Sequence, residues 1–119
     1  MKKISLILLT FIVFASLIWA DGVTTSGPTL KEKFFAAVKR GDTTYVKSAL
    51  DSKTNDINET NADGQTPLMI AVDNQDLNMV LLLVQYKPDI NKTDKNGKTA
   101  KSIAAEKGNL AITNAINSL

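Results

Sequence analysis

Two pairs of carboxylates, Asp73 with Asp76 and Asp63 with Asp94, are the groups whose type and spacing could serve acid–base or divalent-metal chemistry in this chain of 119 residues. They have no help from the usual partners, because the sequence contains neither histidine nor cysteine. Imidazole proton transfer, serine triads, imidazole and thiolate metal sites, cysteine nucleophiles, disulfides and a lipidated cysteine are excluded together. No glycine pattern of the phosphate-cradling kind occurs either. The aspartates read more simply as turn, cap and surface residues, so no catalytic residue, no metal ligand and no cofactor is expected. Asn58-Glu59-Thr60 and Asn91-Lys92-Thr93 fit the glycosylation sequon, but the two asparagines recur at a fixed interval and read as structural.

The elements that would position such groups begin after a distinctive start. Lys2 and Lys3 precede an almost uninterrupted apolar run over residues 4–20, which is the layout of a signal peptide. The run slightly exceeds the usual 7 to 15 or so apolar residues, so an uncleaved membrane anchor is the alternative reading. Cleavage after Ala20 or Gly22 would start the mature chain at Asp21 or Val23. Without Lys2 and Lys3, 12 basic residues remain of the 14, equal to the 12 acidic ones. A formally neutral domain lacks the electrostatic footprint of nucleic-acid binding. Lys, Ile and Asn usage together with the absence of cysteine has a bacterial look, and the expected address is periplasmic or secreted, or the inner membrane if the segment stays attached.

Residues 21–29 form a Gly/Ser/Thr/Pro linker. Beyond it the sequence echoes itself at an interval of 33 residues: Gly64 returns as Gly97, Thr66 as Thr99, Ala71 as Ala104, and Asp56-Ile57-Asn58 as Asp89-Ile90-Asn91. Asp63-Gly64 and Asn96-Gly97 are turn dipeptides, in which the Asp or Asn can bond its own backbone and glycine tolerates positive φ. Thr66 can cap a helix that opens on Pro67. Short inner helices over about residues 67–74 and 100–107 follow. Asp42, Asp76 and Asn109 stand as caps of outer helices, and Thr29 with Glu32 has capping-box spacing. The apolar run at residues 79–84 is too short to span a membrane and reads as repeat core.

Asn61-Ala62-Asp63-Gly64-Gln65-Thr66-Pro67-Leu68-Met69-Ile70-Ala71-Val72 resembles the turn and first helix of the ankyrin-repeat family, and Pro88-Asp89-Ile90-Asn91 resembles its closing segment. The resemblance implies an all-α solenoid of about three stacked helix-turn-helix units with short β-turn or hairpin loops, divided as residues 30–60, 61–93 and 94–119. The first unit lacks the turn motif and alternates charged with apolar residues, as an N-terminal cap does. Lys101 occupies the family's inward leucine position and marks the end of the stack. One extra residue near Thr54 should enlarge only a loop. The family's histidine is replaced by Met69 and Ser102, so its bond to the preceding threonine is expected to be lost, with some loss of stability.

The same resemblance implies non-catalytic protein binding on the concave side, through turn tips and the exposed ends of inner helices. Those positions are Lys39 and Arg40 in the first unit; Ala62, Asp63, Gln65, Asp73 and Asn74 in the second; Lys95, Asn96, Lys98, Glu106 and Lys107 in the third. The set is basic at each end and acidic in the middle, which suits a polar, charge-patterned protein surface.

Overall fold

The structure is a computed structural model that describes residues 27–119; the leading apolar run and most of the linker lie outside the described residues. Six helices are present among them and no strand: α1 Leu30–Arg40, α2 Thr43–Asp51, α3 Pro67–Asp73, α4 Leu77–Val84, α5 Ala100–Lys107 and α6 Leu110–Asn117.

Each helix starts where a short polar side chain can take up an orphan backbone N–H. Asp42 accepts from Tyr45 N–H, Asp76 from Met79 N–H and Asn109 from Ile112 N–H, as the spacing predicts. Thr66 accepts from Met69 N–H at 3.3 Å with Pro67 at the first helical position. Thr29 and Glu32 close a reciprocal capping box at the start of α1. The third unit departs from the sequence expectation. Thr99 N–H donates to Ser102 Oγ at 2.9 Å and Ser102 N–H donates to Thr99 Oγ1 at 3.1 Å. Serine is short enough to close a capping box itself, so the helix start remains doubly bonded although the family's histidine is gone. Met69 instead joins the core.

Helices α1, α3 and α5 pack in one row and α2, α4 and α6 in a second, each inner helix lying against its own outer helix. The core runs between the rows. From the 79–84 run, Met79, Val80 and Leu83 are buried while Leu81 is exposed, which fits its reading as repeat core. Matching positions separate the two flanks of each unit. Phe34, Leu68 and Lys101 share one register; the first two are buried and Lys101 is exposed at the end of the described stack. Val46 and Val80 are likewise buried where Thr113 is only half-buried. The opposite flank shows the reverse, with Met79 and Ile112 buried where Tyr45 of the first unit is half-exposed. Polar or amphipathic residues thus replace apolar ones on the flanks where no further unit packs among the described residues.

Inner helices end on a left-handed residue: Gly41 at φ 76° and Gly108 at φ 69°, but Gln75 at φ 55° in the middle unit. A side chain there is strained, and Gln75→Gly is expected to raise stability by about 0.5–1 kcal/mol, the strain relieved less the added freedom of the unfolded chain. A higher urea midpoint at unchanged slope is the measurement. The loop containing the extra residue seals α2, with Thr54 N–H donating to Ala49 O at 3.1 Å and Ser52 Oγ to Ser48 O at 2.7 Å.

Candidate functional site

Ahead of α3 and α5 the chain forms a tight projecting turn, a finger. In the first, Gly64 N–H donates to Asn61 O at 3.0 Å and Asn61 N–H to Gln65 O at 3.0 Å. Asn61 Oδ1 organises the loop by accepting from Asp63 N–H and Gln65 N–H, both at 2.9 Å. In the second finger Asp94 does the same for Asn96 N–H at 2.8 Å and Lys98 N–H at 3.0 Å. The sequence reading gave this role to Asp63 and Asn96. The structure moves it to the residue that opens each turn, the position from which a short side chain can reach backbone two residues on. The fingers are joined in series, Lys95 N–H donating to Asp63 O at 3.1 Å.

This scaffold sets out the expected site residues. Ala62, Asp63, Lys95 and Asn96 are exposed at the finger tips, and Gln65 and Lys98 are half-buried at their bases. Lys39, Arg40, Asp73, Asn74, Glu106 and Lys107 are exposed at the ends of the inner helices. Bonds across units hold those ends in a row: Asn74 Nδ2 donates to Lys39 O at 3.4 Å, and Lys107 Nζ lies 3.3 Å from Asp73 Oδ1. Lys98 Nζ reaches from its finger to Glu106 Oε2 at 3.0 Å. Arg40 instead leans toward Asp42 at the start of α2, 3.9 Å away.

The pairing changes the electrostatics. The hydrogen bond that Lys98 donates to Glu106, and then the Glu106 charge, hold Lys98 above the usual lysine range, with Asp94 and Asp73 adding smaller effects. Asp73 and Glu106 are each matched by a lysine, whereas Asp63, the other acid of the middle unit, is exposed and enters no ion pair among the described residues. Lys39 and Lys95 enter no ion pair among the described residues. Such exposed pairs are screened by solvent, so they shape charge more than stability. Neither carboxylate pair is arranged as a joint acid–base site: Asp76 caps α4, Asp73 meets Lys107, and Asp94 folds its own turn.

Sequence reasoning missed a groove of ≈ 620 Å³ between α1 and the first finger, lined by Lys31, Glu32, Phe35, Ala36 and Lys39 and by residues 60–63. Its signal was the spacing of Lys31, Phe35 and Lys39, one helical turn apart on a single face. It also missed a triad joining α2 to the turn after α4, in which Tyr86 Oη donates to Asp51 Oδ1 at 2.5 Å and Lys47 Nζ to Asp51 Oδ2 at 2.7 Å. The bond to Asp51 raises the Tyr86 phenol, with partial desolvation and the Asp51 charge adding to it. A raised folded-state value means stabilisation that is complete below pH 10 or so and lost as pH rises through the folded value. Tyr86→Phe is therefore expected to flatten the fall of stability above pH 10 and to remove a tyrosinate absorbance component that titrates above the ordinary tyrosine range.

Stacked units of finger, inner helix and outer helix, each joined only to its neighbours, define a helical repeat protein. The chain matches the family model for ankyrin repeats, in three copies, over residues 34–117, and it belongs to that family. It is 38% identical over 100 residues to the rat (Rattus norvegicus) ankyrin repeat and SAM domain-containing protein 6, covering 79% of this chain but 11% of that protein. It is 34% identical over 96 residues to the Notch-regulated ankyrin repeat-containing protein of Xenopus tropicalis, covering 78% of this chain and 84% of that one. The human counterpart is 35% identical over the same length. The chain thus corresponds to a small part of the first relative and to most of the second.

Proposed function

We propose that this chain is an exported, non-catalytic module that binds another protein through the face formed by its fingers and inner-helix ends. The observation that carries the proposal is the row of exposed polar residues, Lys39, Asn74, Asp73 and Lys107, joined across units by the Asn74 bond to the Lys39 carbonyl and the Asp73–Lys107 pair and flanked by finger tips. Rigid backbone presenting side chains of mixed charge suits recognition of a protein surface, where complementarity sets specificity and encounter rate. The ankyrin family serves mainly in protein–protein interaction, which supports this reading.

The test is capture of a partner by the native chain, repeated with Lys39→Glu combined with Lys95→Glu and, separately, Lys101→Glu. Loss with the double variant and retention with Lys101→Glu is expected. Equal capture by all three forms would place binding elsewhere. Nucleic acid is not proposed as a partner, since the charge of residues 21–119 balances.

Export to the periplasm or beyond rests on Lys2, Lys3 and the apolar run at residues 4–20. The length of that run favours, as a second reading, a module held at the inner membrane by an uncleaved segment. N-terminal sequencing of the native protein separates the two: a start near Asp21 rejects the anchor, and an intact Met1 rejects release.

A further inference from the structure

The two sequons, Asn58-Glu59-Thr60 and Asn91-Lys92-Thr93, lie 33 residues apart and hold the same place in successive units, after the outer helix and ahead of the finger. Along the chain they are equivalent; in the fold they are not. Asn58 Oδ1 accepts from Asp89 N–H at 2.7 Å, which ties the first unit to the second. The amide cannot turn toward an enzyme without giving up that bond. Glu59 is engaged as well, its N–H donating to Asp56 O at 3.1 Å and its carboxylate accepting from Asn55 Nδ2 at 3.1 Å. Asn58, Glu59 and Thr60 are all half-buried.

The second sequon carries no such duty. Asn91 and Thr93 are exposed, and neither side chain enters a hydrogen bond among the described residues. The segment is held at its ends, Asn91 N–H donating to Asp89 Oδ1 at 3.0 Å and Asp94 N–H to Lys98 O at 2.9 Å. Between them the backbone of Lys92 and Thr93 makes no hydrogen bond among the described residues. A glycosylation acceptor must offer an enzyme both its amide and the hydroxyl two places on, from a surface loop of an exported chain. The second sequon leaves both groups open. Asp89, also exposed, stands two places ahead of Asn91, where the transferases of bacterial periplasm take an acid in addition.

We propose that Asn91 is a site of N-glycosylation and that Asn58, in the same sequon, is not. The donor is an oligosaccharide linked to a polyprenyl pyrophosphate. Asn91 Nδ2 forms a bond to the anomeric carbon of the first sugar, the bond from that carbon to the pyrophosphate oxygen breaks, and Nδ2 gives up one proton to solvent. The lipid pyrophosphate leaves, with no change of oxidation state. The transfer takes place beyond the membrane, so the inference rests on the proposed export and names a modification of the exported chain. Asn91 lines a hollow shared with Leu119, an exposed apolar residue, which a bulky polar sugar would shield.

The test is peptide mass spectrometry on the full chain isolated from its own source, paired with sequencing of its N-terminus. Digestion before aspartate separates the sequons into residues 56–62 and 89–93. A sugar mass on 89–93 and none on 56–62 is expected. Asn91→Gln and Thr93→Ala should each abolish it, while Thr93→Ser and Asn58→Gln should keep it. Since Asn91 and Thr93 are exposed, their variants should retain the circular dichroism of the parent. An unmodified 89–93 peptide in a chain that begins near Asp21 overturns the proposal and leaves export standing. The same peptide unmodified in a chain confined to the cytoplasm overturns both. Equal sugar on the two peptides overturns the discrimination assigned to the Asn58–Asp89 bond.

Discussion

Phe34→Ala is expected to lower the stability of the whole stack by about 3–5 kcal/mol, a large share of the about 5–15 kcal/mol that holds a domain folded. The ring is fully buried and packs edge-on against Phe35, with centroids 5.9 Å apart and planes at 76°. Its register is that of Leu68 and Lys101, the flank that meets the following unit, so the cavity would open between the first and second units. Repeat stacks hold by nearest-neighbour interfaces, and about three units is the least that stands alone. Detaching the first unit therefore leaves too little to persist. A single transition displaced to lower urea by roughly 1–3 M is expected by far-ultraviolet circular dichroism. Lys101→Ala in the same register, exposed, should stay within about 0.5 kcal/mol of the parent. Comparable losses for the two variants would contradict the assignment of the buried flank.

Gly64→Ala and Gly97→Ala separate backbone strain from close approach. Both glycines have the same left-handed backbone, φ 74° and 76°. An alanine at either position carries the strain of a side chain in that region, about 1–2 kcal/mol. At Gly97 an added Cβ meets nothing within 4 Å. At Gly64 it would lie 3.2 Å from Lys95 N and 3.4 Å from the backbone of Asp94, against the next finger. Backbone cannot swing aside as a side-chain tip can, so the second finger must move and its bond from Lys95 N–H to Asp63 O is endangered. Gly64→Ala should cost about 0.5–1.5 kcal/mol more than Gly97→Ala, the net contribution of such a bond. Hydrogen exchange at the Lys95 amide should accelerate in the first variant alone. Matching losses and unchanged exchange would mean that the fingers are not mechanically linked.

The surface account depends on a different kind of information. Asp73 stands alone along the chain, yet Lys107 of the next unit lies 3.3 Å from it. Lys98 and Glu106 sit at opposite ends of the turn and helix of one unit, and only the fold of that unit brings them to 3.0 Å. The charge pattern read along the chain therefore differs from the pattern a partner meets, in which Asp73 and Glu106 are compensated while Lys39, Lys95 and Asp63 enter no ion pair among the described residues.

What the sequence determined by itself is the repeat and its local punctuation. The interval of 33 residues, the caps at Thr66, Asp76 and Asn109, Pro67 at a helix start and Lys101 at an exposed flank could all be read from it, because each depends on residues within one or two turns of chain. The Thr99–Ser102 box is equally local, closed by two bonds within the first turn of α5. Tertiary structure alone decided the pairing of Asp73 with Lys107, the bond between fingers, and the groove between α1 and the first finger. Each depends on how far one unit is set over from the next. That offset is fixed by packing between buried faces, and no spacing within a single unit encodes it.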